Sequence, residues 1–356
     1  MSARRRNLRL MRSMYPGIAL PLACSLVACG VGDTASDAGR SVLPQGDLAP
    51  VPTVATGRPA ARAHLLLQPG DYDGADPQRM DGAYRDATRW EVPDDLAPQN
   101  KYVMFEGPAL ENDVIAFRFY ADARHRSDVY GKRVPDIVLD TIGWDYHAVR
   151  DWGADVLKVG ESLGIGAPAV VHDGRVETFA SAAAKTVEVV AAGGDTAMVR
   201  FAWRDLELAG ARVDLEQDWW TVPGVYWAQV DVRVTDGELP EGARFATGIV
   251  RHDTAGAPAR GTTAGGCAYV ATWGPQADQG DDLGLGVVAL AAAEPLELPD
   301  GGPAAAQSYL LAFAGGEAAA RASYRMVSAW GRGHAGLRDA AGFAEVVAGA
   351  CGSDPR

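Results

Sequence analysis

Apolar and polar residues alternate along most of this chain. In "AMVRFAWRDL", Val199, Phe201 and Trp203 lie two residues apart, and Arg200 and Arg204 occupy alternate positions. Because successive side chains of a strand point to opposite faces, this period predicts strands with one apolar and one polar face. The pattern recurs in "DVIAFRFYAD", "ARVDLEQDWWTV" and "VYWAQVDVRV", and runs such as "CAYVATW" and "SYLLAFAG" add further predicted strands.

Turn residues separate several of these predicted strands. Asp173-Gly174 and Gly193-Gly194-Asp195 each lie between two apolar runs, as tight hairpins with positive φ require. Helical periodicity is confined to "DYHAVRDW" at 145–152 and "GLRDAAGFAEVVAG" at 336–349, and alternating helix and strand units are missing from the pattern. The sequence therefore predicts an all-β fold, a large antiparallel β-sandwich with few short helices.

The amino terminus has the composition of an export signal. Five arginines and no acidic residue precede the apolar run "GIALPLACSLVAC", which is too short to span a bilayer. Leu26-Val27-Ala28-Cys29 resembles a bacterial lipobox, so we expect residues 1–28 to be a lipoprotein signal peptide and Cys29 to carry lipid. Gly30 is typical of sorting to the outer membrane. Residues 29–62, rich in Gly, Pro and Ala, predict a flexible tether, and residues 63–356 a single domain.

The net charge limits the possible partners, and the cysteines bear on disulfide formation and zinc binding. The chain has 33 basic and 46 acidic residues, and cleavage before Cys29 would leave 28 basic residues and a net charge of −18. A negative charge of this size opposes binding to nucleic acid. Export would allow Cys267 and Cys351 to form a disulfide, although their spacing does not determine whether they pair. The spacings of cysteine-based zinc sites are absent from the sequence.

A short motif, "GESLG" at residues 160–164, matches the nucleophile elbow of serine esterases. The elbow needs a strand before the serine and a helix after it. Here Gly164, Gly166 and Pro168 follow, and glycine and proline are the poorest helix formers. An esterase with Ser162 as its nucleophile is therefore an alternative that the context disfavours, and we expect the glycines to form a turn beside a site.

Around this motif a longer pattern appears, made of "YVMFEGPALENDVIAFRFYADAR", "DVYGKRVPDIVLD" and "WDYHAVRDWGADVLKVGESLGIG". Over residues 101–166 it resembles an exported bacterial family catalogued only as a domain of unknown function (number 4861). Weaker similarity continues through "TWGPQ" and "SAWGRG". Members of that family tend to occur beside enzymes that degrade pectin and other uronate-containing polysaccharides. The resemblance implies a β-supersandwich similar to that of galactose mutarotase, but it brings no reaction with it.

The segment "WDYHAVRDWGADVLKVG" is crowded with titratable residues. A histidine beside a tyrosine can supply the base and the acid of a lyase or hydrolase, so we predict Tyr146 and His147 as catalytic groups, with His252 as the second-choice histidine. In a β-elimination, a cation must also neutralise the uronate carboxylate so that its α-proton becomes acidic. The cations predicted for this role are Arg118, Arg150 and Lys158, with Arg124 and Lys132 as further candidates.

Other residues are predicted to bind the sugar. Glu106, Glu111 and Asn112 lie in "EGPALEND", where paired carboxylates could also serve as the acid and base of a glycosidase or simply turn the chain. Three tryptophans are each followed by glycine, which leaves a ring face free to stack on a sugar: Trp152, Trp273 and Trp330. The alternative for each is a place in the core, where large aromatic rings are valuable.

No cofactor is predicted. The acidic run "QADQGDD" at 276–282 could bind calcium through oxygen ligands, but it lacks the spacing of a known calcium loop. A solvated acidic turn is the simpler interpretation.

Together these patterns predict a lipid-anchored protein of the bacterial cell envelope with carbohydrate as its partner. The predicted activity is that of a polysaccharide lyase or glycoside hydrolase on uronate-containing glycan. The main alternative is a non-catalytic glycan-binding lipoprotein, which would keep the tryptophans and have no need of the Tyr146–His147 pair.

Overall fold

Antiparallel strands make up nearly all of the regular structure. The structure is a computed structural model and describes residues 61–315 and 320–352. The strands are β1 Ala61–His64, β2 Leu66–Leu67, β3 Arg85–Asp86, β4 Arg89–Val92, β5 Ala109–Asn112, β6 Ile115–Phe119, β7 Ser127–Lys132, β8 Gly153–Asp155, β9 Ala169–His172, β10 Arg175–Thr178, β11 Ala184–Gly194, β12 Ala197–Leu208, β13 Ala211–Thr221, β14 Trp227–Asp236, β15 Arg244–Val250, β16 Ala259–Thr262, β17 Ala268–Gly274, β18 Leu283–Ala289, β19 Ala293–Leu296, β20 Ser308–Phe313 and β21 Arg321–Trp330. The helices are α1 Pro303–Ala306 and α2 Ala340–Gly349, with 3₁₀ turns at Met104–Glu106 and Asp253–Ala255.

Fourteen of these strands form one long sheet. Its order is β16-β17-β18-β21-β14-β13-β12-β11-β1-β5-β6-β7-β8, and β4 pairs with β11. A short pairing of Ala61 and Arg62 with Gly194 and Gly193 joins β1 to β11. A second sheet has the order β10-β9-β15-β20-β19, and β2 and β3 form a ribbon of their own. The strand pairs of both large sheets are antiparallel.

Large apolar side chains fill the space between the layers. One cluster of buried apolar residues has members in both large sheets. Within the long sheet, Phe119 of β6 packs edge-on against Trp219 of β13, with ring centroids 4.8 Å apart. On β12, Phe201 and Trp203 are buried, whereas Arg200 on the other face is partly exposed. The apolar positions of the alternating pattern therefore face the core, as predicted. The predicted all-β antiparallel sandwich is confirmed.

Strands β5 to β8 are buried on both sides. Their apolar side joins the main core through residues such as Leu110, Phe117 and Val129. The charged residues of the opposite side, here called the polar face, are Glu111, Arg118, Asp128, Lys132 and Asp155, and all of them are buried. Chain segments 103–107 and 137–146 cover this face, and their backbone groups bond to Glu111 and Arg118. Buried charges need partners, so this face determines how the covering segments fold.

Helix α2 confirms one of the two predicted helices. Asp339 caps its amino terminus by accepting a hydrogen bond of 2.8 Å from the Gly342 backbone N–H. Its buried residues Phe343 and Val347 are four positions apart and therefore lie on one side of the helix. Phe343 packs over Gly284 of β18, where any Cβ would come within 2.6 Å of its ring.

A disulfide fixes the end of this helix. Cys267, just before β17, is bonded to Cys351, just after α2, which resolves the pairing that the sequence left open.

The second predicted helix, at residues 145–152, is wrong. These residues form turns and bends. The backbone carbonyl of Tyr146 accepts a hydrogen bond from the Asp155 N–H, and Arg150 and Gly153 exchange backbone hydrogen bonds. The segment therefore folds back on β8 instead of bonding to itself as a helix.

The two predicted hairpins form with different connections. His172 pairs directly with Arg175, so Asp173 and Gly174 form a two-residue turn. Both residues of this turn have positive φ. At the other hairpin the last pair is Ala192 with Ala197, so the connection has four residues. Its two glycines pair with β1 instead, and thereby join the two parts of the long sheet.

The amino-terminal predictions fall mostly outside the described residues. Strand β1 begins at Ala61, two residues before the predicted start of the domain at Ala63. The predicted signal peptide, Cys29 and nearly all of the predicted tether precede it. In the part of the chain that the structure describes, neither helix has the length and apolar character needed to cross a membrane.

The disulfide gives a stability prediction. A bond that closes a loop of 84 residues restricts the unfolded chain and contributes about 2–5 kcal/mol in secreted domains. Replacing both Cys267 and Cys351 by alanine should lower the free energy of unfolding by that amount, measured by urea denaturation. A reducing agent should lower the stability of the unmodified protein equally and leave the variant unchanged. An unchanged stability in the variant would show that the bond does not hold α2.

Candidate functional site

One arginine of the polar face gathers the predicted site residues. Arg118 donates from Nη2 to Oδ2 of Asp128 at 2.6 Å and to Oδ2 of Asp155 at 2.9 Å. The same nitrogen lies 3.0 Å from the Tyr120 hydroxyl, and Nη1 lies 3.2 Å from the Tyr146 hydroxyl. These five residues are here called the Arg118 cluster. Strand register explains it, because Arg118 and Asp128 face each other directly across β6 and β7.

The cluster holds more negative than positive charge. Two buried carboxylates share one guanidinium, so burial and the neighbouring Asp128 raise the pKa of Asp155 well above its ordinary value. Burial also raises the pKa of Tyr146 to about 12, although Arg118 opposes the rise. Tyr146 is therefore a neutral phenol at physiological pH and can donate a proton.

His147 places an exposed imidazole at this cluster. Its Nδ1 lies 3.4 Å from Oδ2 of Asp155, the oxygen that Arg118 also binds, and its side chain is 66% exposed. The imidazole lies over Tyr146, with ring centroids 4.7 Å apart. Gln279 fixes the backbone beneath by donating to the carbonyls of His147 at 3.1 Å and Asp155 at 2.8 Å. Nδ1 is the ring nitrogen that approaches Asp155, and no hydrogen bond to Nε2 is found in the described part of the chain.

Strained backbone supports the cluster from the other side. Phe105 and Glu106 have φ of 63° and 62°, a left-handed conformation that costs energy for residues other than glycine. This turn directs the Phe105 carbonyl to Nη1 of Arg118 at 3.2 Å. Gly107 follows, where a Cβ would lie 2.0 Å from the Phe119 carbonyl oxygen. The turn is therefore held in place by the sheet that it covers.

Glu106 lies at the rim of the cluster. Its Oε2 accepts a hydrogen bond from the Gln99 backbone N–H and pairs with Arg124. Arg124 also lies over the Tyr120 ring, 4.2 Å from its centroid, and bonds Asp122. Glu106 and Arg124 thus extend the polar contacts of the Arg118 cluster toward the surface.

The structure changes which of the predicted cations can neutralise a substrate carboxylate. All donor nitrogens of Arg118 are engaged, and the residue is buried, so it is not free to bind a substrate carboxylate. Arg150 is exposed and pairs with Asp145. Lys158 is also exposed, and no ion pair to it is found among residues 61–315 and 320–352. Arg150 and Lys158 therefore remain the predicted residues that a substrate can reach.

Glu111 lies in the interior instead of lining a cleft. Its carboxylate pairs with Lys132 at 2.8 Å and with His64 at 3.0 Å. It also accepts the backbone N–H groups of Val138 and Leu139. The two backbone contacts hold the covering segment on the polar face, and Lys132 and His64 bind the carboxylate from β7 and β1, so Glu111 is a structural group.

Asn112 is also fully buried. Its amide nitrogen donates to the carbonyls of Val222 and Val225, both at 2.9 Å, and its oxygen accepts the N–H groups of Val114 and Ile115. Asn112 therefore braces the β5–β6 hairpin against the end of β13 and leaves no group for a sugar.

The three predicted tryptophans have separate environments. Trp152 is partly exposed and lies beside Tyr130, with ring centroids 6.3 Å apart, next to the Arg118 cluster. Trp273 is partly exposed but lies against Phe343 of α2, with ring centroids 5.6 Å apart. Trp330 is buried against Gly131, where a Cβ would lie 2.4 Å from its ring. Of the three, only Trp152 lies near the cluster, through Tyr130, whose ring packs against Tyr146, and Trp330 has the core position that was its alternative.

Ser162 lacks the surroundings of a nucleophile. It is fully buried, donates to the Val159 carbonyl at 2.6 Å and accepts from the Gly164 N–H at 2.9 Å. No helix follows it. Gly164 has a φ of 64° and lies so close to β7 that a Cβ would be 1.8 Å from the Ser127 carbonyl oxygen. The "GESLG" motif is thus a turn packed against the sheet.

The acidic run at 276–282 is tied to its neighbours. Gln279 holds the backbone of His147, and Asp281 pairs with Arg332 at 2.9 Å. Among the described residues, no group of three or more His, Cys, Asp or Glu side chains is arranged to hold a metal ion.

Three cluster residues were not predicted from the sequence: Asp128, Asp155 and Tyr120. Asp128 and Tyr120 lie on the same side of β6 and β7 as Arg118, but nothing in the alternation shows that this side is buried. Tyr120 lies two residues from Arg118, and Asp128 lies two residues from Tyr130. This spacing places each pair on one side of a strand and is the signal that could have identified Tyr120 and Asp128.

The fold and the cluster define an all-β protein whose sheet carries a buried polar face beneath an exposed histidine. The chain belongs to the family described as "Domain of unknown function (DUF4861)", whose model matches residues 58–351. The predicted family membership is therefore confirmed. No curated protein matches the sequence.

Two solved structures are distantly similar. One is the α-N-acetylgalactosaminidase NagBb from Bifidobacterium bifidum, a quadruple mutant, with 16% identity and a TM-score of 0.29 over 64% of this chain and 35% of that one. This chain therefore spans about a third of its length. The other is a "putative aldose 1-epimerase" from Klebsiella pneumoniae, with 11% identity and a TM-score of 0.30 over 82% of this chain and 96% of that one. Likenesses at this level do not bear on function.

The buried ion pairs of Glu111 predict a pH-dependent stability. Burial alone would raise the pKa of Glu111, but His64 and Lys132 hold it at about 2, below its ordinary value of 4.5. The unfolded chain therefore binds a proton that the folded chain does not, and this stabilisation is lost as the pH falls from 4.5 to 2. Glu111→Gln should lower the free energy of unfolding at pH 7 by about 3–5 kcal/mol, because Lys132 loses its buried counter-charge. Urea denaturation at pH 7 and at several values down to pH 3 measures both effects.

The control for this variant is Glu188→Gln. Glu188 is exposed and pairs only loosely with Arg89, at 3.8 Å, so its loss should cost less than about 1 kcal/mol. Equal effects of the two substitutions, or a Glu111→Gln variant that keeps the acid-dependent loss of stability, would contradict the structural role of Glu111.

Proposed function

We propose that this protein is a carbohydrate-active enzyme that uses Tyr146 and His147 for proton transfer on uronate-containing glycan. One observation carries the proposal. Arg118 and Asp155 bring the Tyr146 hydroxyl and the His147 imidazole into a single site, although the strands that hold Arg118 and Asp155 are far apart in sequence. The family's tendency to occur beside enzymes that degrade uronate-containing polysaccharides agrees with this assignment.

The arrangement suits β-elimination better than hydrolysis. Elimination needs a base for the proton next to the uronate carboxylate and an acid for the leaving oxygen. His147 offers an exposed nitrogen as the base, and Tyr146, whose pKa is raised to about 12 by burial, holds a proton to give. A glycosidase instead needs two available carboxyl groups. Glu106 is bound to Arg124 and Glu111 is buried, so the predicted pair of carboxylates is not available.

The carboxylate of the substrate needs a cation at the surface. Arg150 lies three residues after His147 and is paired with Asp145 in an exposed contact. Exposed ion pairs contribute little, so a substrate carboxylate can replace Asp145 at small cost. Trp152, partly exposed beside Tyr130, offers a ring face for the adjoining sugar.

A non-catalytic glycan-binding protein is the second candidate. It is favoured by the burial of Tyr146, which is 3% exposed, and by the saturated hydrogen bonds of Arg118. In this case Trp152 and Arg150 would bind the glycan, and His147 would be a further hydrogen-bonding group.

The proposal includes a location in the cell envelope. The basic amino terminus, the apolar run after it and Leu26-Val27-Ala28-Cys29 support export and attachment through lipid on Cys29. A tethered body would meet polysaccharide fragments at the membrane surface.

The test is a panel of uronate polysaccharides and their oligosaccharides, incubated with the protein and assayed for cleavage and for the ultraviolet absorbance of unsaturated products. On an active substrate, His147→Ala should lower kcat/KM by about 10²- to 10⁴-fold, because the base is lost. Tyr146→Phe, which removes only the hydroxyl, should lower kcat to a similar extent and KM little.

His172→Ala is the matched control, because His172 also lies beside an aspartate, Asp173, but in the β9–β10 turn. It should keep nearly full activity. Binding of a glycan without cleavage, weakened by Trp152→Ala, would favour the second candidate. Cleavage that survives both His147→Ala and Tyr146→Phe would contradict the proposed site. Hydrolysis of p-nitrophenyl acetate that Ser162→Ala abolishes would restore the esterase alternative.

A further inference from the structure

A cavity of about 230 Å³ has no residue of the Arg118 cluster in its lining. It is lined by Lys185 of β11, by Trp203 of β12 and by the chain segments around residues 92–96, 121–123 and 179–182. Its lining includes Leu96, Phe179 and Trp203, with Asp94 and Asp122 as acidic members. The proposed function makes no use of this cavity.

Lys185 is the one basic residue of the lining, and its contacts are with neutral groups. Its Nζ donates to the Ala121 carbonyl at 3.0 Å and lies 3.1 Å from Nδ1 of His125. The amine also lies over two aromatic rings, 5.3 Å from the centroid of Phe201 and 5.2 Å from that of Trp203. In the described ranges, no carboxylate comes within ion-pair distance of it. A lysine in such surroundings is poorly compensated as a cation.

His125 is fixed as a neutral acceptor for this amine. It is fully buried, stacked on Phe119 with ring centroids 5.1 Å apart, and its Nε2 lies 2.8 Å from Oε1 of Gln217. An amide oxygen only accepts, so Nε2 carries the hydrogen and Nδ1 directs its lone pair at Lys185. Burial and the nearby amine lower the pKa of His125 well below its ordinary value.

Burial also changes the protonation of the lysine. It lowers the pKa of Lys185 to about 7, against a smaller opposing effect of Asp122. About half of the Lys185 amines therefore carry a free lone pair at pH 7, whereas about one in 2,500 does so on a lysine with a pKa near 10.4. Desolvation in an apolar pocket is a known route to a nucleophilic lysine.

We propose that Lys185 is a nucleophilic amine that forms an imine with a small hydroxylated aldehyde or ketone bound in this cavity. The lone pair of Nζ attacks the carbonyl carbon, and the proton of Nζ passes to the carbonyl oxygen to give a carbinolamine. Loss of that oxygen as water forms the carbon–nitrogen double bond. No oxidant, reductant or metal is required for the step.

Size and charge select this class of ligand. The cavity is smaller than the roughly 300–1,000 Å³ of sites for drug-sized molecules, so it fits a short carbonyl compound. The exposed Asp94 disfavours an anionic ligand such as a keto acid, and its carboxylate can accept hydrogen bonds from hydroxyl groups, whereas Asp122 is already paired with Arg124. The rings of Phe179 and Trp203 offer apolar faces for C–H groups.

The test is reductive trapping on the full chain. The protein is incubated with glyceraldehyde and sodium cyanoborohydride at pH 7, and the adduct on each of its four lysines, Lys101, Lys132, Lys158 and Lys185, is followed by peptide mass spectrometry. Lys185 should be modified at least about tenfold faster than the exposed Lys158. The advantage in free amine is about 10³-fold, and the lower nucleophilicity of a less basic group offsets part of it.

The pH dependence gives a second readout. Modification of Lys185 should level off above about pH 7, whereas modification of a lysine with the ordinary pKa of about 10.4 would keep rising into the alkaline range. The titratable groups that face Lys185 are His125, Asp122 and Asp94, and burial together with the Lys185 amine lowers the pKa of His125 well below its ordinary value.

Two variants serve as controls. Ala123→Phe adds a ring at the exposed rim of the cavity and should slow the modification of Lys185 at least about tenfold, while that of Lys158 stays unchanged. Lys185→Met should remove the fast-reacting site and keep a β-type circular dichroism spectrum. Modification of Lys185 no faster than Lys158, or fast modification that Ala123→Phe does not slow, would overturn the proposal.

Discussion

A buried guanidinium shared by two carboxylates is the interaction on which the candidate site depends. Removing charges from water is expensive, and the cost is offset only where hydrogen bonds satisfy every group. Arg118 meets this condition with Asp128, Asp155, two phenols and the Phe105 carbonyl. Each partner comes from a different position along the chain. The charge on one side chain of β6 therefore determines the conformation of the turn at residues 104–107 and the placement of the segment that ends in β8.

The same interaction gives the site its chemical properties. Because Asp155 shares Arg118 with Asp128, it is held rigidly and lies within 3.4 Å of the exposed His147. Because Tyr146 is buried against the guanidinium, it keeps its proton at neutral pH. Glu111, with Lys132 and His64, holds the covering segment further along the same face. The polar face is thus both a structural layer and the support of the proposed proton-transfer groups.

The sequence predicted the strands but not what covers them. Alternation in "AMVRFAWRDL" determined which side of β12 is apolar, and the apolar side proved to be the core side. In "IAFRF" the same pattern could not show that the polar side of β6 is also buried, so Arg118 was interpreted as a free cation. Glu111 was misplaced for the same reason, whereas Asn112 was misplaced because its contacts with Val222 and Val225 join residues far apart in sequence. Tyr146 and His147 are adjacent in sequence, so a local pattern was enough to propose them as a pair.

Features that depend on contacts between residues far apart in the sequence were not predicted. Trp330 packs on Gly131, a neighbour that no local pattern reveals. The period of residues 145–152 resembles a helix, but hydrogen bonds to β8 determine their conformation. Lys185 looks like one polar residue of an alternating strand, and its unusual surroundings come from His125 and two aromatic rings of other segments.

The central claim is that Arg118 is required to hold the polar face together, and the free energy of unfolding of Arg118→Met tests it most directly. Without the guanidinium, Asp128 and Asp155 are left as buried carboxylates with no cation, which should cost about 3–5 kcal/mol in urea denaturation at pH 7. Arg204→Met, which breaks an exposed pair with Asp214, should cost less than about 1 kcal/mol. Adding Asp128→Asn and Asp155→Asn to Arg118→Met should recover part of the loss. A loss below about 1 kcal/mol for Arg118→Met would contradict the account.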